Sequence, residues 1–166
     1  MATAPPFNPI VVNGGFELGV LAPWIPSDVN AATIQNGTQA FAGDYFLALQ
    51  TAPGNRANSV HQVLHGLDTT STYSLTARVW GPPVSSANFC HAYIYVGSNA
   101  TTGLVDKVDI SYEQSGQWLP LEGTFQTENT KLPLYVQASC TLSGASHTGT
   151  LLFDEITLTE IPAVLD

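Results

Sequence analysis

Apolar and polar residues alternate in short runs along this chain, and Gly, Pro, Asn or Ser breaks each run at fairly even intervals. A strand points successive side chains to opposite faces, so strict alternation marks a strand with one buried face. The clearest run is TYSLTARVW, with Tyr73, Leu75, Ala77 and Val79 on one face and Ser74, Thr76, Arg78 and Trp80 on the other. In FCHAYIYV the apolar face is Cys90, Ala92, Ile94 and Val96, with His91, Tyr93 and Tyr95 opposite. In PLYVQASC, Leu134, Val136, Ala138 and Cys140 point inward, and Tyr135, Gln137 and Ser139 outward. TLLFDEITLTE gives a longer closing strand, and further strands are predicted near residues 30–35, 44–49, 107–112 and 118–125. Short strands punctuated by turn residues predict an all-β fold, a sandwich of two antiparallel sheets.

One segment is ambiguous. SVHQVLHGL spaces Val60, Val63, Leu64 and Leu67 like a helix face, which would set His61 and His65 side by side as a metal pair. The run is too short for a stable helix and Gly66 interrupts it. A metalloprotease helix also needs Glu after its first His, where this chain has Gln62. A strand is the better assignment.

Composition agrees with the pattern. The 166 residues suit one domain, with a Pro-rich lead-in over 1–8 and a short tail over 161–166. They are 44% hydrophobic but only 10% charged, with 14 Gly and 11 Pro, which is poor material for helices. Four Lys and Arg stand against 13 Asp and Glu, giving a net charge of −9. That argues against nucleic acid and against anionic membranes, and no apolar run is long enough to insert in a bilayer.

Cys90 and Cys140 both fall on inward parities, so a disulfide is sterically possible if their strands face or neighbour each other; two reduced core thiols are the alternative. Low Lys content and two sequons, Asn36-Gly-Thr38 and Asn99-Ala-Thr101, lean toward a secreted or cell-surface glycoprotein and so toward the bridge.

The outward parities carry unusual residues. Arg78, Trp80, His91, Tyr93, Tyr95, Tyr135, Gln137 and Ser139 are expected on non-core positions of three strands. An exposed sheet face of this kind is built to be covered. Aromatic rings stack on the C–H faces of sugars, and amide and guanidinium groups meet the hydroxyls. The alternative is a cover of the protein's own loops.

Acidic residues raise a second question. With Ile156 and Leu158 setting core parity in the closing strand, Asp154 shares it and Glu155 does not. A buried carboxylate needs a partner, and basic partners are scarce, so a hard cation with oxygen ligands is the expected solution; the alternative is Asp154 bonded to backbone amides and Glu17 a solvated turn residue. Glu17, just after the Asn13-Gly14-Gly15 turn, offers a second carboxylate, and the Gly43-Asp44 turn offers further oxygens.

These residues carry a resemblance. VVNGGFELGVLAPW, AFAGDYFLAL, SVHQVLHGLDTTSTYSLTARV and LLFDEITL follow one another like the motifs of carbohydrate-binding modules of families four, nine and twenty-two. The resemblance covers nearly the whole chain. It implies a β-jelly-roll with a structural calcium between the termini, on Glu17, Asp154 and the Gly43-Asp44 turn. It departs from the pattern where Asp154-Glu155 replaces paired acids, and it does not bring sugar-binding residues with it.

Three classes of function follow. The first is a non-catalytic module, alone or as one part of a larger multidomain protein, that binds a β-glycan or cell-wall polysaccharide through the aromatic face. The second is a structural or adhesion domain whose face packs on protein. An enzyme is the third and weakest: there is no Gly-x-Ser-x-Gly elbow, Asp154 and Glu155 point apart, and Ser146 and His147 sit in a Gly/Ser loop.

Overall fold

The computed structural model describes residues 10–83, 88–143 and 147–164. The lead-in over 1–8, Ser146 and the end of the tail lie outside the described residues. Among the described residues ten strands form: β1 (Ile25–Pro26), β2 (Ala32–Asn36), β3 (Tyr45–Gln50), β4 (Asn58–Leu64), β5 (Thr72–Trp80), β6 (Phe89–Val96), β7 (Leu104–Ile110), β8 (Trp118–Phe125), β9 (Leu132–Thr141) and β10 (Thr150–Ile161). The ambiguous SVHQVLHGL segment is a strand, and His65 lies exposed beyond its end.

Two antiparallel five-stranded sheets stack as a jelly-roll sandwich. The front sheet runs β1-β4-β9-β6-β7 and the back sheet β2-β3-β10-β5-β8. Alternation explains the packing: β5 and β9 bury every second side chain. Tyr73, Leu75, Val79, Ile94, Leu134, Val136, Leu151 and Phe153 meet between the sheets with no more than traces of exposure. Leaving water is worth about 1.5–3 kcal/mol for each such large side chain, so the shared interior dominates the fold.

Cys90 and Cys140 are direct cross-strand partners on β6 and β9, with Cα atoms 3.9 Å apart, and they form a disulfide within the front sheet. A Cβ at Gly149 would press on the Cys140 sulfur, so only glycine lets the start of the last strand region pass there.

One expectation fails in an instructive way. Leu151 and Phe153 belong to the interior, so Leu152 and Asp154 face away from it, across from Trp80 and Arg78 of β5. A β-bulge between Asp154 and Thr157, with Glu155 at φ 51°, then returns Ile156 to the interior. One extra residue reverses the parity on either side of it. Asp154 is therefore on the outer side of the back sheet. It is buried by a loop, not by the core.

Candidate functional site

Two places bring the candidate residues together, and they are built differently. The first is the junction of the Asn13–Glu17 turn, the 37–45 loop and the bulge of β10. Asn13 organises the turn: its Nδ2 donates to Val20 O (2.7 Å) and Ala22 O (3.0 Å), and its own carbonyl accepts from Trp24 Nε1 (3.0 Å). Phe16 turns inward and is fully buried, packing near Trp24. Gly14 lies so close to Ile156 O that no side chain fits, and Ile156 N donates back to Gly14 O at 2.9 Å. The inward-facing Gln62 fixes the preceding residue, accepting from Val12 N (3.0 Å) and donating to Val12 O (2.9 Å).

Two carboxylates then grip one loop from opposite ends. Asp154 Oδ2 accepts from the amides of Phe41 (3.0 Å) and Ala42 (3.1 Å), and Oδ1 from Glu155 N (2.8 Å). Glu17 accepts from the amides of Asp44 and Tyr45, each at 3.1 Å, in a space that only Gly43 leaves open. Asp154 has no exposed surface, and desolvation pushes its pKa up to about 6 against the three amides that favour the anion. Asp44 contributes its amide to Glu17 and its carbonyl to Gly37 N (2.9 Å), while its own side chain is exposed. Sequence reasoning gave Glu155 no part, yet its carboxylate hangs over Gly15 in the same junction. Its departure from strand geometry through the bulge hid it.

Among the described residues no three His, Cys, Asp or Glu side chains stand close enough to hold a metal. Backbone amides already engage both carboxylates, and a hard cation would share their oxygens with those amides. Both carboxylates offer oxygen, and the one ion pair among the described residues lies elsewhere, at His91 and Asp109.

The second place is the outer surface of the sheets, where the expected single face divides in two. Arg78 and Trp80 sit on the back sheet, whereas His91, Tyr93, Tyr95, Tyr135, Gln137 and Ser139 sit on β6 and β9 of the front sheet. They cannot act on one ligand, because the sandwich separates them. Trp80 packs with Phe46, Ala48, Leu152 and Trp118 under the 37–45 loop. Trp118 Nε1 donates to Gln39 O (3.1 Å), and the Arg78 guanidinium lies 4.8 Å over the Phe41 ring. Both residues are half-buried against the loop, and Arg78 also lines a recess on this side.

On the front sheet, cross-strand register sets the outward residues in rows. His61, Tyr135 and Tyr95 form one row, stacked at 4.8 and 4.9 Å with interplanar angles of 26° and 6°. These rings spend their faces on each other, and Tyr95, only 7% exposed, gives its hydroxyl to Gln137 Oε1 (3.1 Å). Burial and the neighbouring Tyr135 push the Tyr95 phenol up. Ser59, Gln137, Tyr93 and Lys107 form the next row. His91 is tied to Asp109 at 2.7 Å, with Phe89 edge-on to its ring.

Beside the stacked row an open groove of about 490 Å³ runs over the sheet, with Tyr93, Gln137, Ser139, Lys107 and Asn55 among its lining residues. Sequence reasoning missed Lys107 and Asn55, since one sits between Asp106 and Asp109 on an edge strand and the other lies in a loop. It missed His61 as part of the face because the helix question absorbed it. Asn36 and Asn99 of the two sequons are both exposed. Asn99 lies in the β6–β7 turn, its Oδ1 accepting from Thr101 N (2.8 Å) and Thr102 N (3.1 Å).

Comparison with known proteins bears on both places. TmCBM61, solved in complex with β-1,4-galactotriose, superposes with a TM-score of 0.65 at 17% identity, over 93% of this chain and 100% of that one. The CBM22-1 xylan-binding domain of Paenibacillus barcinonensis Xyn10C gives 0.65 at 16%, over 98% and 100%. A cyclase from Fischerella sp. TAU shares the fold at 0.62 and 16%, over 92% and 96%, so the architecture alone does not choose a function. No curated protein matches the sequence. A family described as carbohydrate binding domain, of the 4/9 type, matches residues 8–143, and the chain belongs to that family.

Proposed function

We propose that this chain is a non-catalytic, secreted or cell-surface module that binds a β-glycan or cell-wall polysaccharide in the front-sheet groove. The observation that carries the reading is the open groove itself: Tyr93 presents a half-exposed ring there, beside the planar amide of Gln137 and the hydroxyl of Ser139. A ring for the sugar's C–H face with donors and acceptors at its edge is the chemistry of saccharide recognition. Solved relatives bound to or named for glycans support the class of ligand. A glycan array followed by titration calorimetry tests it: wild type binds a β-glycan and Tyr93→Ala loses at least tenfold, about 1.4 kcal/mol. Retained affinity in Tyr93→Ala would move the site elsewhere. A blank array would favour the adhesion reading.

A structural calcium at the junction is the second part of the proposal. Glu17 and Asp154 are its carboxylate ligands, with Asp44 and the carbonyls of the 41–45 loop completing an oxygen shell. Two carboxylates on one loop support it, one of them wholly buried and partnered by backbone amides but by no basic side chain. Such an ion binds the folded chain alone and stabilises it by about 2.7 kcal/mol at one hundred times its dissociation constant. Chelator then lowers Tm and calcium restores it, while Asp154→Asn is indifferent to both. A wild-type Tm that ignores chelator rules the ion out.

A further inference from the structure

The charge around the groove differs from that of the rest of the molecule. Thirteen Asp and Glu against four Lys and Arg give the chain its net charge of −9, yet no acid among the described residues lines the groove. One of its four basic residues does: Lys107, directly across the β6–β7 pair from Tyr93. A second, Arg56, lies between Asn55 and Ala57, which both line the groove. Lys107 makes no side-chain hydrogen bond or ion pair among the described residues. The carboxylates nearest in sequence are engaged elsewhere: Asp109 holds His91, and Asp106 accepts from the amides of Lys107 and Glu122. The recess on the back sheet shows the contrast, since there Arg78 shares the walls with Glu122 and Glu155.

We propose that the groove selects glycans bearing an anionic group, which Lys107 meets while the adjoining sugar lies on Tyr93. This rests on the glycan-binding reading and names its substrate class. A free ammonium in a groove without carboxylates gives a neutral sugar only an ordinary hydrogen bond, but gives a carboxylate or sulfate a charge-assisted one. Asp109, two residues along the same strand face, is engaged by His91, and repulsion from the acids farther off does not cancel this. Mobile ions screen it beyond about 8 Å at physiological ionic strength, whereas Lys107 acts in contact.

The test uses matched probes: glucuronate-branched xylo-oligosaccharides, the same compounds after carboxyl reduction, and a sulfated xylo-oligosaccharide of equal length. Calorimetry with wild type is expected to favour the uronate over its reduced partner by about five- to tenfold, and this ratio should shrink in high salt. The ratio should collapse toward one in Lys107→Gln and persist in Lys107→Arg; the exposed position makes misfolding of either variant easy to exclude by a melt. Equal affinity for the uronate and its reduced partner, or a ratio unchanged in Lys107→Gln, overturns the inference and leaves glycan binding standing. Binding of the sulfated probe alone assigns the anion as sulfate, and binding of both as any compact anion. Failure of all three probes overturns the inference; only a blank array as well overturns the glycan reading beneath it.

Discussion

The two outer faces of this sandwich obey the same alternation and meet opposite fates. On the back sheet, Leu152 leaves the core only to be buried again, and Trp80 and Trp118 pack half-buried against it and the 37–45 loop. On the front sheet, Tyr93, Gln137 and Ser139 leave the core and border an open groove. Strand parity states which residues leave the core. What covers them is decided by the loop and by what holds the loop down, which here is a pair of carboxylates from distant parts of the chain. The covered face should therefore respond to mutation as stability, and the open one as affinity.

The largest expected effect lies beneath the open face. The Cys90–Cys140 bond joins the middle strands of the front sheet and closes a loop of 50 residues, for which the chain-entropy relation gives about 4 kcal/mol. The paired change to Ala should lower Tm by roughly 8–16 °C for a domain of this size. A drop of only a degree or two, read by calorimetric melting, would show that front-sheet packing holds without the bridge.

The covered face has a pH signature. Burial raises Asp154 from 3.8 to about 6, so between those values the folded chain holds more protons than the unfolded one. Stability from this group is thus greatest below about pH 4 and is lost as pH rises toward 6, by about 3 kcal/mol in full. Chelator-treated wild type should lose this increment between pH 4 and 7, and Asp154→Asn should not. Calcium requires the anion and should restore more stability at pH 7 than at pH 4. Parallel pH profiles for wild type and Asp154→Asn would remove the burial cost from the account.

Next come the aromatic residues that cross the division. Trp80→Ala should cost about 2–3 kcal/mol because it empties the packing under the loop, and it should leave glycan affinity alone. Tyr95→Ala should cost a similar amount although it lies on the front sheet, since its ring is enclosed in the stacked row. Urea unfolding measures both. If Trp80→Ala weakens glycan binding as strongly as it destabilises, the two faces are coupled and the contrast is wrong.

Much of this was legible in the chain. Strict alternation in β5 and β9 gave both the strands and their buried residues, and the parity of Cys90 and Cys140 gave a bridge that the register then made direct. The sheet to which each strand belongs was not legible. Nothing local to Arg78 or Trp80 records that β5 pairs with β10 and β8, not with β6 and β9. The bulge was hidden too, because Asp154-Glu155 followed by an alternating Ile156-Thr157-Leu158 reads as unbroken strand until a positive φ at Glu155 is seen. In consequence Asp154 reads as core-facing, whereas it lies on the outer side of the back sheet under the 37–45 loop.

The smallest effect on stability should fall at the residue with the largest effect on binding. Tyr93 is half-exposed on β6, and its neighbours on the face are Gln137 across one strand pair and Lys107 across the other. It has no stacked partner of the kind Tyr95 has; His91, the nearest ring, is 6.3 Å away and tilted. Removing it leaves no cavity between the sheets, so Tyr93→Ala should change unfolding free energy by less than about 1 kcal/mol, mostly through lost β propensity. Tyr93→Phe separates ring from hydroxyl: it keeps the stacking surface, and any affinity it loses measures the phenol's hydrogen bond, about 0.5–1.5 kcal/mol. Binding that survives in Phe and fails in Ala, at nearly unchanged Tm, is the result expected of an open face. A large fall in Tm for Tyr93→Ala would mean that its ring is packed like Tyr95, and the front sheet would then be as closed as the back.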